Sequence, residues 1–294
     1  MAKLSEEYKR DAFFYAQNQE AQFYDDVIEL SQPNYRQAHS TLIDLLRYHF
    51  DAWDPDRCAA VHGTILDAGV GTGAEGLETL ATFPNVRLVG VDLSAAMLDR
   101  FRQNYQVRFG TPAEAERCIL ICEDLFGEWA CESAFRELLP SSERSSGYRA
   151  VITAFALHHY NSAEKEHLYR QFHSVLEPGG LLLNADLFTY EAPDLARYAS
   201  DDIENWNIRQ FSAAAPSLSQ KLEAFGQRPQ EICEFFLRHI REYNTPLPVE
   251  SDLIAADDSL SGQPGELQLL RKAGFRQVGC PYRCFQCGIL WGRK

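Results

Sequence analysis

Short apolar runs alternate with amphipathic stretches through the middle of the chain. Aliphatic and β-branched runs of this kind predict strands that are buried on both faces. They cover residues 64–68, 86–92, 118–122, 150–154 and 180–186. Between them, residues 72–82, 94–106 and 163–176 have the residue spacing of helices. The alternation predicts a doubly wound α/β core with a mostly parallel sheet.

Helical patterns flank this core on both sides. Two helices are expected over residues 5–29 and 35–50, the second with Leu42, Leu45, Leu46 and His49 on one face. The strand–helix alternation stops after residue 187, and mostly helical sequence continues to residue 263. A helix over residues 266–273, capped by Gly274, and closing runs at 276–280 and 285–291 then complete seven strands.

We therefore expect four segments along the chain. They are an N-terminal helical cap (1–62), an α/β core (63–187), a helical lid (188–263), and a closing segment (264–294) that returns to the core. An insertion of this length often builds a substrate site.

Charge and hydropathy narrow the classes of partner. The 294 residues include 42 acidic and 28 basic side chains, for a formal net charge of -14. This field repels phosphate backbones, so we expect no DNA partner. No apolar run approaches the roughly 18 residues that span a bilayer, which predicts no membrane partner and a cytoplasmic location. A homodimer is compatible with these features.

A glycine-rich turn links the first predicted strand to the following helix. Gly69, Gly71 and Gly73 permit a tight turn in which a ligand can lie against backbone at a helix N-terminus. The same sequence, with Ala74, also fits a dinucleotide fingerprint. The turn alone therefore predicts a nucleotide-like cofactor without choosing between an S-adenosyl and an NAD type.

Acidic residues end the first three predicted strands. Asp92 can accept both hydroxyls of a ribose, and Asp124 can accept a hydrogen from an adenine amino group beside Leu125. Asp67 lies close to where a cationic amino-acid tail would need a negative partner. Three acids favour a cofactor that carries adenosine and an ammonium group over a pyrophosphate.

Together these motifs resemble the class I S-adenosylmethionine (SAM)-dependent methyltransferase superfamily. The resemblance covers residues 64–186, and more weakly residues 272–275. It implies SAM as cofactor, a Rossmann-like methyltransferase fold and methylation of a small-molecule acceptor. The cofactor residues that it implies are Asp67, Gly69, Gly71, Gly73, Asp92, Leu93, Met97, Asp124, Leu125 and Phe155.

A second resemblance points to the carboxy-SAM synthases of the tRNA wobble-uridine pathway. It rests on residues 33–35 and 284–290. The segment that supplies a carboxylate-binding arginine in that family here contains Arg238 and Arg241 around His239. An NAD-dependent oxidoreductase and a SAM-binding protein without transferase activity are the alternatives from other classes.

The activated methyl group of SAM needs an aligned acceptor, exclusion of water and, for some acceptors, removal of a proton. His158 and His159 after the fourth strand and Asp186 at the end of the fifth are the candidate catalytic residues, with His239 as a weaker candidate. Each could instead only hydrogen-bond a loop.

Two further patterns have a structural interpretation beside the functional one. Cys280, Cys284 and Cys287 have part of the spacing of a zinc site, but no second pair or nearby histidine follows, so we expect core packing and no metal. Lid aromatics could form an apolar acceptor pocket or only bury the lid against the core. They are Trp206, Phe211, Phe235 and Phe236.

Overall fold

The computed structural model describes residues 20–112, 117–127, 131–213, 220 and 262–294. Its strands are β1 (Gly63–Ala68), β2 (Val86–Asp92), β3 (Cys118–Cys122), β4 (Tyr148–Ala154), β5 (Leu176–Leu187), β6 (Gln277–Cys284) and β7 (Cys287–Arg293). Its helices are α1 (Glu20–Ser31), α2 (Tyr35–Phe50), α3 (Pro55–Ala60), α4 (Ala74–Thr82), α5 (Ala95–Phe109), α6 (Glu132–Glu137), α7 (Ser162–Val175), α8 (Pro193–Ser212) and α9 (Gln263–Ala273). A 3₁₀ turn, Leu157–His159, follows β4.

The seven strands form one sheet in the order β3-β2-β1-β4-β5-β7-β6. Strands β1 to β5 are parallel to one another, and β7 pairs antiparallel with both β5 and β6. The predicted seven-stranded, mostly parallel sheet is thus confirmed. The strand order reverses between β1 and β4, which is where open α/β sheets form a crevice for ligands at the carboxyl ends of their strands.

Alternating side chains of the strands build a separate apolar core on each face of the sheet. Ile65, Leu88 and Ile152 face a core that includes helices α2, α4 and α5. Their neighbours Leu66 and Val151 face the opposite core, which includes α7 and α9. Both faces of the parallel sheet are therefore covered, as the continuous apolar runs predicted.

The bounds of β5 and β6 differ from the predicted runs, since β5 begins at residue 176 and β6 continues to residue 284. Two further details also differ from the sequence-based expectations. The buried face of α2 consists of Ala38, His39, Leu42, Ile43 and Leu46, whereas Leu45 and His49 remain partly exposed. The 285–291 run predicted as one strand begins with a turn at Phe285 and Gln286, and only the residues from Cys287 onward are strand. The turn lacks glycine, and Phe285 adopts a positive φ of 49°, so its sequence carries no turn signal.

A buried ion pair joins α7 to α9. Lys165 and Glu266 are only 2% and 0% exposed, and the Lys165 Nζ lies 2.9 Å from Glu266 Oε1. The Tyr169 hydroxyl donates to Glu266 Oε2 at 2.7 Å and accepts from Asn184 Nδ2 at 3.1 Å. This network fixes α9 against α7 and the buried strand β5. Within the described residues, no helix is both long enough and apolar enough to cross a membrane.

Replacing Lys165 by methionine should destabilise the fold, because Glu266 would become a buried charge without its cation. Removing one partner of a buried ion pair costs about 3 to 5 kcal/mol, which urea denaturation measures as a shift in midpoint. The matched control is Glu166→Gln, since Glu166 pairs with Arg170 and Lys272 at the surface of the same helix. Equal midpoints for the two variants would contradict a role for the buried pair.

Candidate functional site

The glycine turn after β1 adopts backbone angles that favour glycine. Gly69, Gly71 and Gly73 have φ values of 81°, 51° and 95°, in the region that L side chains rarely occupy. A Cβ on Gly69 would lie 2.4 Å from the Ala156 Cβ of the loop after β4. Among the described residues, a Cβ on Gly71 would meet only the Gly69 carbonyl oxygen, at 4.0 Å. Gly69 therefore packs two loops together, whereas Gly71 faces open space.

Asp92, the last residue of β2, holds the same turn. Its Oδ2 accepts from the Gly71 N–H and its Oδ1 from the Ser94 N–H, both at 2.8 Å. Burial raises the pKa of Asp92, and these two hydrogen bonds oppose the rise because they stabilise the charged form. The predicted ribose acid is thus connected directly to the glycine turn.

Helix α1 reaches the turn through Asp25. Its Oδ1 accepts from the Thr72 hydroxyl at 2.5 Å. Its Oδ2 accepts from Arg100 Nε and from Asn104 Nδ2, both at 3.0 Å. The N-terminal helix is therefore connected to the glycine turn and to α5.

An aromatic cluster covers the start of the loop after β4. Phe155 has a positive φ of 52°, and its ring stacks on Tyr35 with a centroid separation of 5.2 Å. The ring of His39 lies 5.6 Å from that of Phe155. Helix α2 is thus packed directly against the crevice between β1 and β4.

Below this cluster lies a group of buried ionisable side chains. Asp67 and Glu75 are 0% and 3% exposed, and His39 is 7% exposed. His39 Nε2 lies 3.3 Å from Glu75 Oε2, and His39 Nδ1 donates to the Tyr35 carbonyl oxygen at 2.8 Å. Burial acts to lower the pKa of His39, but Glu75, the Tyr35 carbonyl oxygen and Glu29 together outweigh burial and raise it.

The two adjacent histidines after β4 have different partners. His158 Nδ1 lies 2.6 Å from Asp186 Oδ1 at the end of β5, and the Leu187 N–H also donates to that oxygen at 2.9 Å. The His159 ring is 4.1 Å from that of His158, and its charge acts to lower the pKa of Asp92 on the other side of the crevice. The candidate catalytic residues therefore lie within the same strand-end crevice as the candidate ribose acid.

The acid after β3 is partly engaged by its own turn. Asp124 Oδ1 accepts from the Phe126 N–H at 2.9 Å and from the Tyr160 hydroxyl at 3.1 Å. Leu125 is buried in the core that faces α7. Asp124 is thus connected to the same β4 loop as the histidines.

The two predicted cofactor residues after Asp92 lie in contrasting environments. Leu93 is 41% exposed, whereas Met97 is buried with Ala21 and Tyr24 of α1. Helix α1 therefore covers the segment that follows the ribose acid.

The cysteines near the end of the chain lie in the hairpin formed by β6 and β7. Cys284 and Cys287 are not three residues apart along one strand but face each other across the β6–β7 hairpin. Among the side chains that the structure describes, no three His, Cys, Asp or Glu residues form a group that could hold a metal ion.

Of the four aromatic residues predicted for the lid, one has a side chain among the described residues. Trp206 lies on α8 and is partly exposed. Phe235, Phe236 and His239 lie outside the described residues, and so does the side chain of Phe211.

Sequence reasoning missed His39, Glu75 and Asp25. His39 occurs on the apolar face of α2, and Glu75 is in the first turn of α4, where an acid is expected for its interaction with the helix dipole. The one sequence signal for such residues is a polar side chain at a position where the helical period predicts an apolar one. Of the three, His39 of α2 showed this signal.

Comparison with known proteins identifies the central segment. Residues 65–180 match the family model described as a methyltransferase domain. A ubiquinone/menaquinone biosynthesis C-methyltransferase UbiE from Syntrophotalea carbinolica is 35% identical over 121 residues, which are 41% of this chain and 42% of that protein. The chain thus spans less than half the length of this curated relative.

Two further similarities extend over more of the chain. A carboxy-S-adenosyl-L-methionine synthase from Nautilia profundicola is 22% identical over 204 residues, covering 69% of this chain and 74% of that protein. The solved structure of a magnesium protoporphyrin IX methyltransferase from Synechocystis PCC 6803 with bound SAM has a TM-score of 0.53 at 13% identity. The match covers 100% of this chain and 99% of that methyltransferase chain. At this identity the solved structure supports the fold alone.

Substitution by alanine should reduce thermal stability by different amounts at Gly69 and Gly71. Both substitutions force an L side chain into a left-handed conformation at a cost of about 1 to 2 kcal/mol, but only Gly69→Ala adds a clash with Ala156. We expect thermal unfolding to show a clearly larger loss for Gly69→Ala than for Gly71→Ala. Equal losses would mean that Gly69 does not hold the two loops together.

Proposed function

The chain is a member of the class I SAM-dependent methyltransferase superfamily, and from this we propose that it binds SAM at the carboxyl edge of the sheet and methylates a small-molecule acceptor. The observation that carries the proposal is the connection between Asp92 and the glycine turn. One carboxylate accepts the Gly71 N–H and lies at the strand end where a ribose is bound in this type of sheet.

The residues present fit the chemistry of SAM. The open space above Gly71 leaves room for a ligand against the backbone. The oxygens of buried Asp67 have no hydrogen-bond donor among the described residues, so an ammonium group would supply a missing partner. Leu93, Met97, Leu125 and Phe155, with Asp124, are proposed to line the adenosine side.

When bound, SAM supplies an activated methyl group, and the protein contributes alignment, exclusion of water and proton removal. We assign proton removal to His158. Asp186 accepts from His158 Nδ1, so the bond fixes the tautomer and leaves Nε2 to accept the proton of an acceptor. His159 is proposed to lie beside the cofactor near Asp92, since its charge acts to lower the pKa of Asp92.

The division of labour along the chain is also proposed. Residues 1–62 would cover the cofactor, 63–187 and 264–294 would form the core, and 188–263 would select the acceptor. Direct contacts of α1 and α2 with the glycine turn and the β4 loop support the first assignment. A cytoplasmic location, a lack of affinity for DNA and a homodimer complete the proposal.

A second candidate is the formation of carboxy-SAM. It is favoured by the relative from Nautilia profundicola, whose similarity covers more of both chains than the C-methyltransferase does. The two activities differ in their product. Mass spectrometry distinguishes the two activities in two samples. The first is the nucleoside that copurifies with the protein. The second is the product mixture after incubation with methyl-labelled SAM and a panel of phenol, quinone and amine acceptors.

Asp92→Ala should weaken SAM binding by about 2 to 3 kcal/mol, because two ribose hydroxyls would lose a charged acceptor. Isothermal calorimetry measures this loss, with Asp99→Ala on the surface of α5 as the control. An unchanged SAM affinity in a folded Asp92→Ala variant would contradict the proposed binding of the ribose by Asp92. Binding of NADH in place of SAM would favour an oxidoreductase.

His158→Gln should reduce turnover by about 10²- to 10⁴-fold, the usual contribution of a general base, while SAM affinity stays within twofold. Asp186→Asn should lower turnover in the same direction, since it disturbs the tautomer of His158. Steady-state kinetics with the acceptor found in the panel give kcat and KM separately. His62→Gln is the matched control, because His62 is exposed just before β1, at the opposite edge of the sheet. Unchanged kcat in His158→Gln would leave His158 with a structural role alone.

A further inference from the structure

The buried carboxyl groups of Asp67 and Glu75 contact each other beneath the glycine turn. Asp67 Oδ2 also lies against the first turn of α4, where it would be 2.7 Å from a Cβ on Gly76. Neither oxygen of Asp67, nor Oε1 of Glu75, has a donor among the described residues. Two ionised carboxylates in contact away from water repel each other, so a hydrogen bond between them requires a proton.

The structure indicates which of the two acids is charged. His39 faces an acceptor at each ring nitrogen, Glu75 Oε2 at 3.3 Å and the Tyr35 carbonyl oxygen at 2.8 Å. With Glu75 as a carboxylate, both contacts are hydrogen bonds when both nitrogens carry hydrogen, as in the imidazolium form, and the raised pKa of His39 favours this form. Charged His39 is therefore the counterion of Glu75, and among the described residues Asp67 is left without a cation.

The charges that act on the pKa of Asp67 are those of Glu75 and Asp92, and both are negative. Asp92 adds negative charge, and burial together with Glu75 and Asp92 raises the pKa of Asp67 well above its usual value. Arg100 is engaged by Asp25. The ionisable groups that face this cluster from the packed elements are Asp25 and Glu29 of α1, Tyr35 and His39 of α2, Glu75 of α4, Asp92 of β2 and His159 after β4.

We propose that Asp67 holds a proton, shared with Glu75, in the free protein and releases it to solvent when the ammonium group of the cofactor binds. His39 is then a positioning residue, since it keeps Glu75 charged and so leaves the proton on Asp67. This inference rests on the proposed binding of SAM. The proton passes to the buffer base, and the ammonium replaces its positive charge.

The sign of the pH dependence follows from this exchange. Below the pKa of Asp67 in the free protein, binding must expel a proton, so affinity rises with pH by up to about tenfold per unit. Above that pKa the carboxylate is already ionised, and affinity becomes independent of pH until the α-amino group of SAM itself titrates, near about 7.7 to 8.

Calorimetry of SAM binding to the full chain tests the exchange. Titrations at about pH 5.5 in acetate and in MES differ in the heat of buffer protonation, and their difference counts the protons released. The α-amino group of SAM stays charged at this pH. We expect release approaching one proton per SAM bound. Binding with no difference between the buffers would overturn the inference and leave the proposed function intact, whereas a failure of SAM to bind would overturn both.

Three variants identify the source of the proton. Asp67→Asn resembles the protonated acid and should fold, bind SAM more weakly, release no proton and show a flat pH profile over the acidic range. His39→Gln should decrease the proton release, because loss of the imidazolium lets the shared proton pass to Glu75. Glu78→Gln, at the surface of α4 where Glu78 pairs with Arg108, should retain the wild-type release. Full release in folded Asp67→Asn would assign the proton to another group and overturn the inference.

Discussion

Negative charge buried at the carboxyl edge of the sheet is the constraint on which the site depends. Asp67, Glu75 and Asp186 are almost completely removed from water, and a buried carboxylate is stable only when it is paired, hydrogen-bonded or protonated. His39 is the partner of Glu75 and His158 of Asp186. Asp67 has no such cation in the part of the chain that the structure describes, and this imbalance makes the edge of the sheet receptive to a positively charged ligand.

The loop after β4 connects the elements that surround these buried carboxylates. Phe155 packs on α2, His158 bonds to β5, and Tyr160 donates to Asp124 after β3. Because Gly69 leaves no room for a side chain between this loop and the glycine turn, the cofactor side and the candidate base are held at a fixed separation. A methyl transfer needs such alignment more than it needs a reactive protein group.

The sequence predicted the parts of the site that follow from strand ends. Parallel strands bring their carboxyl ends to one edge, so Asp67, Asp92 and Asp186 could be assigned to it without coordinates. The His39–Glu75 pair joins two helices, and its pairing depends on how α2 packs across the sheet, which local pattern does not specify. The turn at Phe285 was predicted as strand for a related reason, since its positive φ accompanies the pairing of β6 with β7 and neither a glycine nor a proline marks it.

The position of β7 between β5 and β6 has a consequence for synthesis on the ribosome. While residues 287–293 are still untranslated, the parallel part of the sheet ends in β5, whose outer backbone groups lack the strand that pairs with them in the folded protein. An unpaired edge of buried, aliphatic sequence is an opportunity for association between nascent chains. A substitution that delays the hairpin would therefore lower the yield of newly made protein without changing the melting temperature of the molecules that complete their sheet.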